Sequence, residues 1–163
     1  MSYADQIIKA LGMEPVPDEG GSFVRTYTSI VKTHATLQRQ AGSAILYLLR
    51  GREISRWHRL RADEIWMYHQ GSKALQFLLF QDGSWCERII GPDILAGEMP
   101  QSLVPAWTWQ TTILPDAREE DWGLFSTVCV PGFEYKDYFS GDPEPLLAQY
   151  PDAAERLREL GLS

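Results

Sequence analysis

Apolar residues at Ala4, Ile7, Ile8 and Leu11 recur at intervals of three and four, the period of a helix with one buried face. Ser2 with Asp5 fits a capping box at its start, and Gly12 ends it. Past Pro15 and Pro17 the period falls to two. After a bend at Gly20 and Gly21, Phe23, Arg25 and Tyr27 alternate as a strand would. Residues 29 to 42 are polar, carry His34 and read as a surface loop. Residues 43 to 50, SAILYLLR, are nearly all apolar, which suits a strand buried on both faces.

From Gly51 to Gly71 the pattern predicts two strands joined by a charged turn at Arg61 to Asp63, paired as a hairpin. ALQFLLFQ and WCERIIG flank Asp82-Gly83, a two-residue hairpin turn. WTWQTTIL and WGLFSTVCVP supply further strands. Leu146, Tyr150, Ala153, Leu157 and Leu160 then return to a helical period, with a restart at Pro151. Many short strands with turn signals and no interleaved helices predict an all-β sandwich or barrel. The helices at the two ends are expected outside it.

At 163 residues the chain makes a single domain able to bury a real core. Its 22 acidic residues against 15 basic ones leave a formal charge of −7 and a pI of about 4.9. Nucleic acid and anionic membrane surfaces are therefore not expected as partners, because both require a basic patch. No signal peptide or membrane-length apolar run is visible, so a soluble, cytoplasmic protein is expected. Cys86 and Cys129 have no metal-type spacing and read as buried free thiols. Aromatic residues make up 12% of the chain, with six Trp, more than a small core needs. A cavity for a small-molecule ligand is a natural place for them.

Strand alternation places Arg56, His58 and Leu60 on one side and Trp57 and Arg59 on the other; Glu64, Trp66 and Tyr68 likewise share a face. If His58 and Glu64 both point inward, they form an acid/base pair. Imidazole titrates near pH ~6.5 when unperturbed and exchanges protons at cellular pH. Arg56 and Arg25 are candidate anion contacts. Trp66, Tyr68 and Trp109 offer flat apolar surface, and Gln101 and Gln110 offer orienting donors and acceptors. His69 falls out of phase with this set and is expected to face outward. Trp57, Trp85 and Trp122 read as packing or interface residues.

These residues resemble a known family. Gly51, His58, Glu64 and Gly71 resemble the first cupin motif, and Gly97, Pro105 and the segment PAWTWQ resemble the second. The phrases ALGMEP, EGGSFVRTY, SRWHRL, DEIW, MPQSLVPAWTWQ and PGFEY are similar to the branch called cupin type five, over roughly residues 6 to 140. The resemblance implies a double-stranded β-helix, or jelly-roll barrel, over roughly 20 to 140, with a helical tail at 143 to 161. It also implies a pocket at one mouth and a homodimer. Four positions depart from the pattern. Leu60 and Gln110 replace two metal-binding His, Met67 stands where the branch often has His, and Trp107 replaces a Gly and is expected to narrow the mouth.

With two of the usual four ligands replaced, no cofactor is predicted. The alternative is a weakly held divalent metal on His58, Glu64 and Gln110. The outline resembles the metal-independent sugar-nucleotide epimerases of the cupin superfamily. It implies an isomerase or epimerase acting on a small polar anionic metabolite such as a sugar nucleotide. His58 would be the general base and Tyr68 or Tyr27 the proton donor. A metal-dependent cupin enzyme and a non-catalytic binding or sensing cupin are the alternatives.

Overall fold

The computed structural model describes residues 1–33 and 38–162. The chain begins with α1 (Tyr3–Leu11), β1 (Glu14–Pro15), β2 (Ser22–Thr28), β3 (Ser43–Arg50), β4 (Ile54–Leu60) and β5 (Asp63–Gly71). β6 (Ala74–Leu79), β7 (Trp85–Ile90), β8 (Gln101–Val104), β9 (Trp109–Ile113), β10 (Trp122–Val130) and β11 (Tyr138–Ser140) follow, then α2 (Pro143–Gln149) and α3 (Pro151–Glu159). The strands form two antiparallel sheets, one of six in the order β1-β2-β3-β10-β5-β8 and one of five in the order β11-β4-β9-β6-β7.

The two sheets face each other across a core. Tyr47 and Leu49 of β3, Trp66 of β5 and Phe125 of β10 meet Ala74 and Leu78 of β6 and Ile90 of β7. Both outer faces are covered too, which explains the near-continuous apolar runs. Ala4, Ile7 and Ile8 of α1 pack on Val24, Leu46 and Leu48. Leu146, Tyr150, Ala153 and Leu157 of α2 and α3 pack on Trp57, Phe77 and Leu79. Every residue of β6 is buried as a result. The capping box on α1 forms as its sequence predicts, with the Asp5 N–H donating to Ser2 Oγ at 3.1 Å and the Ser2 N–H to Asp5 Oδ2 at 2.8 Å.

The largest difference from the sequence pattern concerns β4 and β5. They do not pair as a hairpin: β4 lies between β11 and β9 in one sheet, and β5 between β10 and β8 in the other. The residues between them turn a corner, where buried Ala62 packs with Leu60, Cys129, Phe133 and Tyr138. A short charged turn looks the same in sequence whether it closes a hairpin or crosses between sheets.

Three bulges also break the alternation, in β4, in β2 and in β5, where His69 is the extra residue between the Tyr68–Phe125 and Gln70–Leu124 pairs. In β4, Ser55 pairs with Thr112 and His58 with Gln110, so three steps oppose two. Ser55 and His58 consequently both face inward, while Trp57 packs beneath the C-terminal helices. In β2 the register shifts between Arg25 and Tyr27, which moves Tyr27 out of phase and leaves it exposed.

The segment after β10 closes one end of the core. Buried Arg39 pairs with buried Asp137 and donates to the Gly132 carbonyl, which pins this segment beside β4. Trp57 and Trp85 pack beneath the C-terminal helices, and Trp122 packs beneath α1. His34 lies outside the described residues.

The Phe77 ring, stacked on Trp85 at a centroid distance of 5.1 Å and fully buried, joins the outer layer to the sheet. Phe77→Ala is expected to cost about 3–5 kcal/mol, measured by urea denaturation, because rings on both sides leave little scope for collapse.

Candidate functional site

A cavity of about 240 Å³ opens at the end of the sandwich where β4 crosses to β5. Both sheets contribute to it: His58 and Leu60 come from β4, Glu64 and Trp66 from β5, and Tyr47, Thr127 and Cys129 from β3 and β10. The 16–19 turn and the 133–138 segment form its rim. His58 and Glu64, 2% and 6% exposed, therefore belong to one cavity but reach it from opposite sheets.

His58 Nδ1 lies 2.7 Å from the Arg56 carbonyl oxygen. A carbonyl only accepts, so Nδ1 carries the hydrogen in this contact and Nε2 is the basic nitrogen. The ring stacks on Tyr138, with centroids 5.3 Å apart. Glu64 is held from behind by a buried chain of donors. Ser102 Oγ donates to Gln76 Oε1 at 2.7 Å, Gln76 Nε2 to Gln110 Oε1 at 3.5 Å, and Gln110 Nε2 to Glu64 Oε2 at 2.6 Å.

Glu19 is a third ionisable group in the cavity, and the sequence reading assigned it no role. Its carbonyl accepts the Arg56 N–H at 2.8 Å, and its Oε1 accepts the Ser55 hydroxyl at 2.7 Å. The two glycines that follow make this placement possible. A Cβ at Gly20 would collide with the Ile54 carbonyl, and one at Gly21 would lie 2.6 Å from the Tyr47 hydroxyl. Burial raises the Glu19 carboxyl above the ordinary range; the charge of His58 pulls the other way and that of Glu64 adds to the rise. Burial also raises the Cys129 thiol, which therefore stays protonated and is no nucleophile.

Of the other residues singled out in the sequence, Trp66 and Arg25 line the cavity, Arg25 from its exposed rim over the Phe133 ring. Gln110 stands behind Glu64. Four residues lie elsewhere. Arg56 is displaced by the β4 bulge, is exposed, and directs its guanidinium to the Asp18 carbonyl. Tyr68 sits four residues beyond Glu64 on β5, roughly 13 Å along the strand, and donates to the Gly71 carbonyl at 2.7 Å.

Gln101 is exposed on β8, and Trp109 lies on the outer face under Arg59, 4.6 Å from the guanidinium. Trp107 does not narrow the mouth. It takes φ +68°, the conformation a glycine would suit, and packs its indole on the outer face against Phe139, Arg59 and Arg61. His69 faces outward and contacts Ser126 Oγ at 2.9 Å.

A two-sheet β protein with a ligand-sized cavity at one end of the sandwich is the class these features define. The family model for the cupin superfamily (DUF985), Cupin_5, matches residues 5–140, and the chain belongs to that family. A Shewanella oneidensis protein solved by X-ray crystallography is similar at 33% identity and a TM-score of 0.85, covering 97% of this chain and 96% of its own. A hypothetical protein from Leishmania major is similar at 25% identity and a TM-score of 0.84, covering 96% of this chain and 97% of its own. Oxalate decarboxylase from Bacillus subtilis shares the fold at 15% identity and a TM-score of 0.56, with 97% of this chain matched to 37% of that one. No curated protein matches the chain.

Two positions at this site depart from the family's metal-binding set. Leu60 and Gln110 occupy two ligand positions of the family motif, and Gln110 turns its amide nitrogen toward Glu64 while its oxygen accepts from Gln76. Among the described residues, no three His, Cys, Asp or Glu side chains group closely enough to hold a metal. Among the same residues, no helix is long and apolar enough to cross a membrane. Cys86 and Cys129 are free thiols; Cys129 is buried and Cys86 partly so.

Glu19 makes stability depend on pH with a definite sign. A carboxyl whose folded-state pKa is raised contributes most below its unfolded value, and that contribution is lost as pH rises through the folded value. Glu19→Gln, which keeps an acceptor for Ser55, is therefore expected to melt at a higher temperature than wild type at pH 8. Near pH 4 the two should converge, as scanning calorimetry across pH will show.

Proposed function

We propose that this cupin binds a small polar metabolite in the β4–β5 cavity and moves a proton on it without a metal, as an isomerase or epimerase does. The observation that carries this reading is the Nδ1 contact to the Arg56 carbonyl at 2.7 Å, which leaves Nε2 of His58 as a base with no partner among the described residues. The two-sheet architecture is read as the double-stranded β-helix of the cupin barrel. Its mouth then coincides with the cavity.

In the proposed reaction, Nε2 takes a proton from the carbon beside a substrate carbonyl and the electron pair moves onto that carbonyl oxygen. Glu19, kept protonated to higher pH by burial, returns a proton at a second face or carbon, and the imidazolium later passes its own proton back to the carboxylate. Unlike Tyr68, Glu19 lines the same cavity as the base. Arg25 at the rim supports recognition of one anionic group on the substrate. A volume of about 240 Å³ lies below the roughly 300–1,000 Å³ of drug-sized ligand sites, which favours a small metabolite over a whole sugar nucleotide.

Proton NMR in D2O, with a panel of small keto, hydroxy and amino acids and sugars, tests the reading through loss of a C–H signal. Wild type is expected to exchange one of them, His58→Ala to slow that exchange at least about 100-fold, and Tyr68→Phe to leave it unchanged. No exchange across the panel, or full exchange by His58→Ala, would overturn the reading. Zinc, manganese(II) or iron(II) at micromolar concentration is expected to leave the melting temperature unchanged. A rise would restore the metal-dependent alternative, since a ligand of the native state must stabilise it.

A further inference from the structure

Charge is distributed unevenly along the cavity. Its single guanidinium, Arg25, is exposed at the rim and has no carboxylate within 4 Å among the described residues. Of its three acidic groups, Glu64 and Glu19 lie with the buried His58, and Asp18 is exposed on the rim. Glu64 is 6% exposed with only Oε2 engaged, by Gln110, and Glu19 has Oε1 engaged by Ser55. Aromatic rings surround these two carboxyls: Tyr47 and Trp66 are 1% exposed, and Tyr138 stacks on His58. Acidic side chains among aromatic faces are a setting for an organic cation, which ring quadrupoles and carboxylates attract together. A lone anion driven inward would meet Glu64 instead.

Resting on the reading of this cavity as the ligand site, we infer that its ligand is a small zwitterion of amino-acid type. The carboxylate sits on Arg25 at the mouth, and the ammonium group lies among Glu64, Glu19 and the aromatic rings inside. The substrate class thus differs from the purely anionic metabolite that the sequence suggested. The Coulomb field of an ammonium would also offset the repulsion between two carboxyls that the fold brings to one cavity. The size of the cavity agrees. At roughly 30 Å³ per water it holds on the order of eight waters, room enough for a short amino acid.

Calorimetric titration separates this from its rivals, using the ω-amino acids from glycine to 5-aminovalerate with butyrate and butylammonium as single-charge controls. At least one ω-amino acid is expected to bind tenfold or more tightly than either control. Arg25→Ala, an exposed and fold-neutral change, is expected to weaken that amino acid and butyrate tenfold while leaving butylammonium unchanged. Glu64→Gln, which keeps its size, is expected to weaken the amino acid and butylammonium but not butyrate.

Butyrate binding as tightly as every amino acid, or none of the probes binding at tens of millimolar, would overturn the inference. An Arg25→Ala protein with unchanged affinities would do the same. Tight binding of an ω-amino acid with no C–H exchange would uphold the zwitterion and remove the proton-transfer reading.

Discussion

The crossing between Leu60 and Asp63 is the constraint on which the site depends. Had β4 and β5 stayed together as neighbours in one sheet, His58 and Glu64 would sit side by side on one wall. By sending β5 to the six-stranded sheet and leaving β4 in the five-stranded one, the chain sets imidazole and carboxylate on opposing walls, with space between them. The β4 bulge completes the arrangement. One strand then supplies Ser55 and His58 to the interior and still buries Trp57 under the C-terminal helices.

Burying a carboxylate inside a two-sheet core is costly unless hydrogen bonds satisfy it. The chain meets that cost with Gln110, Gln76 and Ser102, each donating toward Glu64, and Arg88 Nη1 donates to Ser102 Oγ at 3.1 Å behind them. The line of polar groups lies between residues that an apolar pattern would fill with Leu or Val. Gln110 therefore positions a carboxylate where the family motif has a metal-binding His. Glu19 is placed by a different device, a turn whose two glycines let the backbone pass the Ile54 carbonyl and the Tyr47 hydroxyl without a clash. Both devices serve one small volume near the rim.

Much of the fold was legible in the sequence because its signals are local. The Ser2–Asp5 capping box and the restart of the tail helix at Pro151 depend on neighbours a few residues away, and each forms where its residues predict. The turn between β6 and β7 also falls at Asp82-Gly83, but as a three-residue loop from Gln81 to Gly83, because the Phe80 N–H still donates to the Ser84 carbonyl at 2.9 Å. His69 also faces outward as expected, although it is the extra residue of a bulge in β5, between the Tyr68–Phe125 and Gln70–Leu124 pairs. The local rule failed where an extra residue entered a strand. Arg56 and Tyr27 were in phase with the inward set by counting alone, and the bulges in β4 and β2 moved them out.

By itself, then, the sequence determined the kind and place of the longer elements, the helices that cover the outer faces, the family to which the chain belongs, and His58 and Glu64 as its ionisable candidates; the short strands β1 and β11 were not legible in it. Only the tertiary structure decided that these two meet across a gap, that Glu19 joins them, and that Tyr68 and Trp109 lie elsewhere. Local signals are written into adjacent residues by backbone geometry and side-chain period. Which wall a strand occupies depends on pairing with partners tens of residues away, so a short turn between two strands cannot reveal whether they will be neighbours or opposites.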